Sequence, residues 1–260
     1  MTQARTLDAV AALLSCAQRI LFVTGAGISV DSGLPTYRGI GGLYHDRLTS
    51  EGLTIEEALS GEMMATRPEI AWRYIAEIEA SCRGAQPNAA HRLIAALEQE
   101  KRMVCVLTQN VDGLHRAAGS HNVIEIHGTV HRLQCMACHH GRTLPDYAGL
   151  ALPPECPQCG SVMRPAVVLF GEPLPTRAVE RIEALLAQGL DAVLSVGTSS
   201  VFPYIAGPVV WAAQRGVPTV EINPGETPVS ALVTHRLRMC AADALPELWF
   251  RMHPRDPAED

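Results

Sequence analysis

Four paired cysteines, one glycine-rich turn and a histidine at the end of an apolar run are the residues of this chain best suited to chemistry. The cysteines form two pairs, Cys135-x2-Cys138 and Cys156-x2-Cys159, and the spacer between the pairs has the length found in four-thiolate zinc sites. Four thiolates leave no open coordination position, so an ion held there is structural rather than catalytic. A redox couple or plain core cysteines are the competing readings. His139 and His140 adjoin the second cysteine, but with four sulfurs available they read as solvated surface side chains. The turn is Gly25-Ala26-Gly27, continuing through Ile28 and Ser29, and it lets the backbone approach a pyrophosphate closely. Ser29 and Val30 fall where a third glycine would complete the dehydrogenase fingerprint, a departure that points away from hydride transfer. His127 is a candidate general base, set against the ordinary alternative of a structural histidine. Gln109, Asn110 and Asp112 form a polar cluster fit to hold an amide or a ribose, or equally to cap the helix that follows. His115, beyond that cluster, reads as structural.

These residues need elements to position them, and short β-branched runs supply the positions. Ile20 to Thr24 precedes the glycine turn, Met103 to Thr108 precedes Gln109, and Val123 to Ile126 precedes His127. Two later runs, Asp191 to Val196 and Thr219 to Ile222, precede Gly197-Thr198-Ser199 and Asn223-Pro224-Gly225. Runs of this kind suit buried parallel strands, whose carboxyl ends converge on one ligand crevice. Helical spacing at 7–17, 89–100, 177–188 and 204–215 alternates with them. The expected fold is therefore α/β, a Rossmann-like doubly wound parallel sheet with a smaller zinc-binding and helical module. In one catalytic domain of 260 residues, the Rossmann-like part is expected at about 1–36, 86–130 and 167–260, a helical module at about 37–85 and a zinc module at about 131–166.

Bulk composition narrows the partners. Hydrophobic residues make up 47% of the chain, enough for a substantial core, and the formal net charge of −6 argues against direct nucleic-acid binding through an overall field. No secretory signal and no run long enough to cross a membrane is visible, so a cytoplasmic protein is expected. Eight cysteines without such a signal favour metal or free thiols over disulfides. Cys16, Cys82, Cys105 and Cys240 are expected to be small core residues.

Taken in order, the motifs resemble those of the sirtuins of bacterial type, NAD-dependent protein lysine deacylases. The resemblance rests on Gly25 to Ser29, Asp31-Ser32-Gly33-Leu34-Pro35, Arg38-Gly39, Thr108 to Asp112, His127-Gly128, the four cysteines, Phe170-Gly171-Glu172, Gly197-Thr198-Ser199 and Asn223-Pro224. It implies NAD as co-substrate, one structural zinc ion, and acylated lysine side chains of other proteins as partners. Gly25, Ala26, Gly27, Ser29, Tyr37 and Arg38 would contact NAD, with Gln109, Asn110 and Asp112 around the nicotinamide and ribose. Gly197, Thr198, Ser199, Asn223 and Ala241 would hold the adenosine half. Val168, Phe170, Gly171 and Glu172 would pair with the substrate backbone as an added strand. The implied reaction releases nicotinamide, joins the acyl oxygen to the ribose, and uses His127 as base, with Asn110 and Asp112 beside it. Free lysine and O-acyl-ADP-ribose result. Mono-ADP-ribosyl transfer from NAD, or a non-catalytic NAD-binding module, are the alternatives.

One departure bears on the substrate. Sirtuins that prefer acidic acyl groups carry a Tyr-x-x-Arg pair in the helical module, and an ungapped alignment places Ile75 and Ile78 there. Two apolar side chains leave a buried carboxylate unpaired, at a cost of roughly several kcal/mol. Acetyl or longer aliphatic groups are therefore expected over succinyl. Ile75 and Ile78 would serve equally as core residues of the module. Ala166 and Leu169 also depart from the family pattern, in the peptide groove.

Overall fold

The structure, a computed structural model, describes residues 2–36 and 48–254, so Tyr37 and Arg38 of the expected cofactor set lie outside the described residues. After α1 (Gln3–Cys16), β1 (Arg19–Thr24) runs straight into the glycine turn. Three helices follow, α2 (Ile55–Ala58), α3 (Gly61–Thr66) and α4 (Pro68–Cys82). Next come α5 (Ala89–Glu100), β2 (Met103–Thr108), α6 (Leu114–Ala117) and β3 (Val123–Glu125). The cysteine segment forms β4 (Gly128–Cys135), β5 (Gly141–Thr143) and β6 (Met163–Val167). The chain then returns through α7 (Thr176–Ala187), β7 (Ala192–Val196), α8 (Pro203–Gln214), β8 (Thr219–Ile222), β9 (His235–Leu237) and α9 (Ala241–Met252).

Among the described residues, six strands pair in parallel in the order β3-β2-β1-β7-β8-β9, the doubly wound arrangement. Every residue of β1 and β2 after the first is buried, because helices cover both faces of the sheet. Strand geometry sends alternate side chains to opposite faces. Ile20 and Phe22 meet Val10, Leu14 and Leu248 on one side, while Leu21 and Val23 meet Ile205 and Val209 on the other. Each such aliphatic side chain contributes about 1.5–3 kcal/mol when fully buried. The order reverses between β1 and β7, and this is where the crevice opens.

Helix α5 is tied to that crevice. The Oδ1 of Asn88 accepts from the backbone N–H groups of Ala90 and His91, capping the helix, while its Nδ2 donates to the Ile28 carbonyl at 2.7 Å. The cap thus fixes the helix start against the glycine turn.

Helices α2 to α4 and the three-stranded sheet β5-β4-β6 share one apolar core, with Trp72, Ile75, Met64, Leu133, Met163 and Tyr147 inside it. Trp72 donates its indole N–H to the Met163 carbonyl at 2.9 Å, locking α4 onto β6. The sheet enters this core from His127, whose carbonyl accepts from Val168 N–H at 2.9 Å. Gly128 makes that junction possible. Its φ is +77°, and a Cβ there would lie 1.9 Å from the Ala166 carbonyl oxygen.

At the tip of this module, the sulfurs of Cys135, Cys138, Cys156 and Cys159 lie within 4.8 Å of one another. Nearest sulfur pairs are 3.4 to 3.7 Å apart. A tetrahedron with Zn–S bonds of about 2.3 Å has sulfur–sulfur edges of about 3.8 Å, so the donor set fits zinc. Backbone N–H groups of Ala137 and Cys138 donate to the Cys135 sulfur, each at 3.3 Å. His139 is exposed and outside the cluster.

All eight cysteines are free, and the four outside the cluster correct one expectation. Cys105 is buried in the sheet, and burial pushes its thiol up to about 12, but Cys16 and Cys240 are exposed and Cys82 is half-buried. Cys16 ends α1 and Cys240 precedes α9, positions where apolar neighbours in sequence do not become neighbours in space. No helix of the described residues is long and apolar enough to cross a membrane.

Two outcomes follow from these contacts. Gly128→Ala, which forces both the left-handed backbone and the Ala166 contact to give, is expected to cost roughly 2–4 kcal/mol in urea unfolding at unchanged slope. A loss below 0.5 kcal/mol would contradict the junction described. Purified protein is expected to hold about one zinc ion per chain by elemental analysis, and Cys156→Ser to lose it together with thermal stability.

Candidate functional site

Two glycine turns meet at the switch point of the sheet. The Gly27 N–H donates to the Gly197 carbonyl at 2.8 Å, and the Gly25 N–H to the Val196 carbonyl at 3.3 Å. A Cβ on Gly27 would stand 2.7 Å from the Gly197 oxygen, and one on Gly25 would stand 2.9 Å from Thr198 Cα. Only glycine allows the loops after β1 and β7 to touch along their backbones. Gly197 itself has φ +58° and would press a Cβ against Ile28 N at 2.4 Å.

Side chains then brace the turns. Gln109 Nε2 donates to Thr198 Oγ1 at 2.7 Å, and Asn223 Nδ2 donates to the Thr198 carbonyl at 2.9 Å. Asn110, buried, donates from Nδ2 to the Gly25 carbonyl and to Ser29 Oγ, both at 3.2 Å. The Ser29 hydroxyl in turn donates to Asp112 Oδ2 at 2.8 Å. The other Asp112 oxygen accepts from Leu114 N–H at 2.9 Å, so this carboxylate also starts α6. Burial pushes the Asp112 carboxyl above the ordinary range, against the hydrogen bonds from Leu114 and Ser29.

A cavity of about 800 Å³ opens over these loops. Gly25, Ala26, Gly27, Gln109, Asn110, His127, Gly197, Thr198, Ser199, Asn223 and Ala241 of the expected set all line it. So do Val168, Phe170, Gly171, Glu172, Ile75 and Ile78. Ser29 and Asp112 sit instead beside a small adjoining recess that Ala26 and Asn110 share. None of the four clustered cysteines lines the cavity. Ile75 and Ile78 pack in the module core and line the cavity as well.

His127 stands between the turns and the apolar wall. Its Nδ1 faces the Gln109 carbonyl at 3.1 Å, and since a carbonyl only accepts, Nδ1 carries the proton. Nε2 is then the basic nitrogen, and the Tyr204 hydroxyl lies 2.8 Å from it. Burial holds the His127 pKa below 6.5, opposed by the bond to Gln109, so the ring is neutral at pH 7. His115 is different. It is buried with its Nε2 2.9 Å from Thr24 Oγ1, and burial pushes its pKa down to about 3, which suits a structural residue.

The segment after β6 holds its shape by its own contacts. Phe170 N–H donates to the Leu59 carbonyl and Gly61 N–H to the Phe170 carbonyl, each at 3.0 Å. Glu172 accepts from Arg164 Nη2 at 2.8 Å and from Leu169 N–H at 2.9 Å, which closes the turn. Those two contacts give Glu172 a structural duty that its sequence position does not reveal.

Phe202, Tyr204, Ile55, Leu59, Val111 and Val130 also line the cavity without having been expected there. Phe202 and Tyr204 follow Ser199 of the Gly197-Thr198-Ser199 turn by three and five residues, a neighbourhood that could have drawn attention to them. The aliphatic residues carry no local signal, because tertiary packing alone brings α2 and β4 to one wall.

The architecture and site are similar to those of known proteins. A model of the Sir2 family matches residues 25–203. The chain is 51% identical over 241 residues to NAD-dependent protein deacylase 2 of Pseudomonas syringae pv. tomato, covering 92% of this chain and 97% of that one. The protein of the same name from Pseudomonas aeruginosa is 48% identical, with 92% and 94% covered. Among solved structures, a Sir2 homolog–NAD complex superposes with a TM-score of 0.83 at 34% identity, covering 92% of this chain and 91% of that chain. A Sir2–p53 peptide–NAD+ structure does so with a TM-score of 0.80 at 31% identity, covering 95% and 97%. A match across more than half of the sequence, joined to relatives near half identical along almost their whole length, shows that the chain belongs to the Sir2 family.

Proposed function

We propose that the chain is an NAD-dependent protein lysine deacylase that consumes NAD and releases free lysine, nicotinamide and O-acyl-ADP-ribose. The observation that carries the reading is His127, neutral, with its basic nitrogen in a cavity that joins two glycine turns to an apolar wall. The printed names of the relatives and the NAD and peptide complexes of the structural neighbours support it.

NAD, when bound, supplies a glycosidic carbon that accepts the acyl oxygen as nicotinamide leaves. The backbone at Gly25, Ala26 and Gly27 lines the cavity and suits its pyrophosphate. Ser29, Gln109, Asn110 and Asp112 belong to the nicotinamide and ribose end in this reading, with Gly197, Thr198, Ser199, Asn223 and Ala241 at the adenosine end. Tyr37 and Arg38 are part of the same proposal. His127 takes a proton from a ribose hydroxyl through Nε2, the nitrogen not committed to Gln109. Val168 to Glu172 offers an edge for the substrate backbone, and Phe170 at 38% exposure presents an apolar side chain there.

The acyl group would run along Ile55, Leu59, Ile75, Ile78, Val111 and Val130, all apolar. Each methylene buried there adds about 0.8 kcal/mol, whereas among the described residues a carboxylate finds neither an arginine nor a lysine in the wall. Zinc in the four-thiolate set shapes the module and takes no part in proton transfer. The formal net charge of −6 supports protein rather than nucleic-acid partners, and eight free cysteines support a reducing, cytoplasmic location.

Acetyl, butyryl, longer-chain and succinyl forms of one lysine peptide, assayed with NAD, should rank with an aliphatic acyl group first and succinyl at least tenfold below it. Succinyl as the best substrate would overturn the assignment of the wall. His127→Ala should cut kcat by about 10²–10⁴-fold. In the wild type, activity should rise as pH climbs through the lowered His127 pKa, placing the acid limb of kcat/KM below pH 6.5. An acid limb above that value would contradict the role of burial.

A further inference from the structure

The base proposed above has a neighbour that the sequence does not announce. With Nδ1 committed to Gln109 at 3.1 Å, His127 has one in-plane lone pair left, on Nε2. The Tyr204 hydroxyl stands 2.8 Å from that nitrogen and must donate to it while the ring is neutral. Tyr204 is itself stacked on Phe202, with ring centroids 5.4 Å apart at 13°, and both rings meet His127 edge-on. Turning the imidazole over would break the bond to Gln109, so the ring has no second basic nitrogen to offer. A sugar hydroxyl that is to lose its proton to His127 needs the same lone pair.

We infer that Tyr204 is a positioning residue whose hydroxyl competes with the ribose of the dinucleotide for His127 Nε2, and gives it up when the ribose binds. The inference rests on the proposed reading of this site as the dinucleotide crevice. The connection to the rest of the crevice is short. Tyr204 lies in the first turn of α8, beyond the loop that begins at Gly197. Thr198 Oγ1 in that loop accepts from Gln109 Nε2 at 2.7 Å and from Ser200 N–H at 3.2 Å. Ser200 holds the left-handed conformation at φ +50°, costly for a residue with a Cβ, and lies between Thr198 and Tyr204 in the chain. A dinucleotide seated on Thr198 and Ser199 therefore bears on Gln109, which fixes Nδ1, and on Tyr204, which occupies Nε2.

The test is Tyr204→Phe, which keeps the stack on Phe202 and removes the competing hydroxyl. NAD binding, measured calorimetrically without peptide, is expected to tighten by about two- to tenfold, the worth of one hydrogen bond. The KM for NAD should fall in parallel. The 15N resonance of His127 Nε2 gives a readout that turnover does not touch. Wild type and variant should differ without NAD and coincide with NAD bound. In the wild type alone, NAD should also shift the Tyr204 13Cζ resonance, a measurement that does not depend on the variant folding. Unchanged NAD affinity, Nε2 resonances that still differ with NAD bound, or a tenfold fall in kcat at saturating NAD would each overturn the inference, the last because it would leave the hydroxyl in the proton path. Absence of deacylation in the wild type would instead remove the enzymatic reading and leave the binding and resonance outcomes to stand on their own.

Discussion

Backbone contact between two loops governs this molecule. Gly27 donates to Gly197 across the point where the strand order of the sheet reverses, and neither residue can carry a side chain. With the loops this close, Thr198 comes within reach of Gln109 and Asn223, and Asn110 within reach of Gly25. The polar side chains that surround the crevice are thus held by the same contact that opens it. Desolvation does the rest, because it keeps His127 neutral and lifts Asp112, so the site combines an uncharged base with a reluctant acid.

The small module answers a different physical demand. Three short strands and three helices could not bury enough surface separately, but they share Trp72, Leu133, Met163 and their neighbours as one core. The four cysteine sulfurs gather in one place within it, and Gly128 forms its junction beside His127. This arrangement lets one wall of the cavity be apolar while the floor is polar. In the proposed reading, that contrast separates the acyl chain from the sugar and its phosphates.

Much of this was legible in the sequence where residue type and backbone geometry are tightly linked. The five β-branched runs became β1, β2, β3, β7 and β8 to within a residue or two, since buried parallel strands admit little else. The cysteine spacing likewise gave a cluster of four sulfurs. Shorter elements were not legible. β9 spans three residues, His235–Leu237, with only Leu237 buried, and α9 contains Pro246 near its middle, which masks its helical pattern. Within the site, the glycine turns and polar strand ends stood out because few residues serve there. Tyr204, Phe202 and the aliphatic wall did not, because their importance comes from what α8, α2 and β4 pack against. Cys16 and Cys240 illustrate the converse error, in which apolar sequence neighbours suggested burial that the fold does not provide.

In the proposed reading, acyl removal and destruction of the dinucleotide are tied together at one base, His127. The most direct test is stoichiometry: purified protein, NAD and an acetyl-lysine peptide, with nicotinamide and free lysine peptide counted in the same samples over time. The account predicts equal amounts of the two products at every time point, matched by O-acetyl-ADP-ribose. Peptide deacylated while NAD stays whole would contradict it.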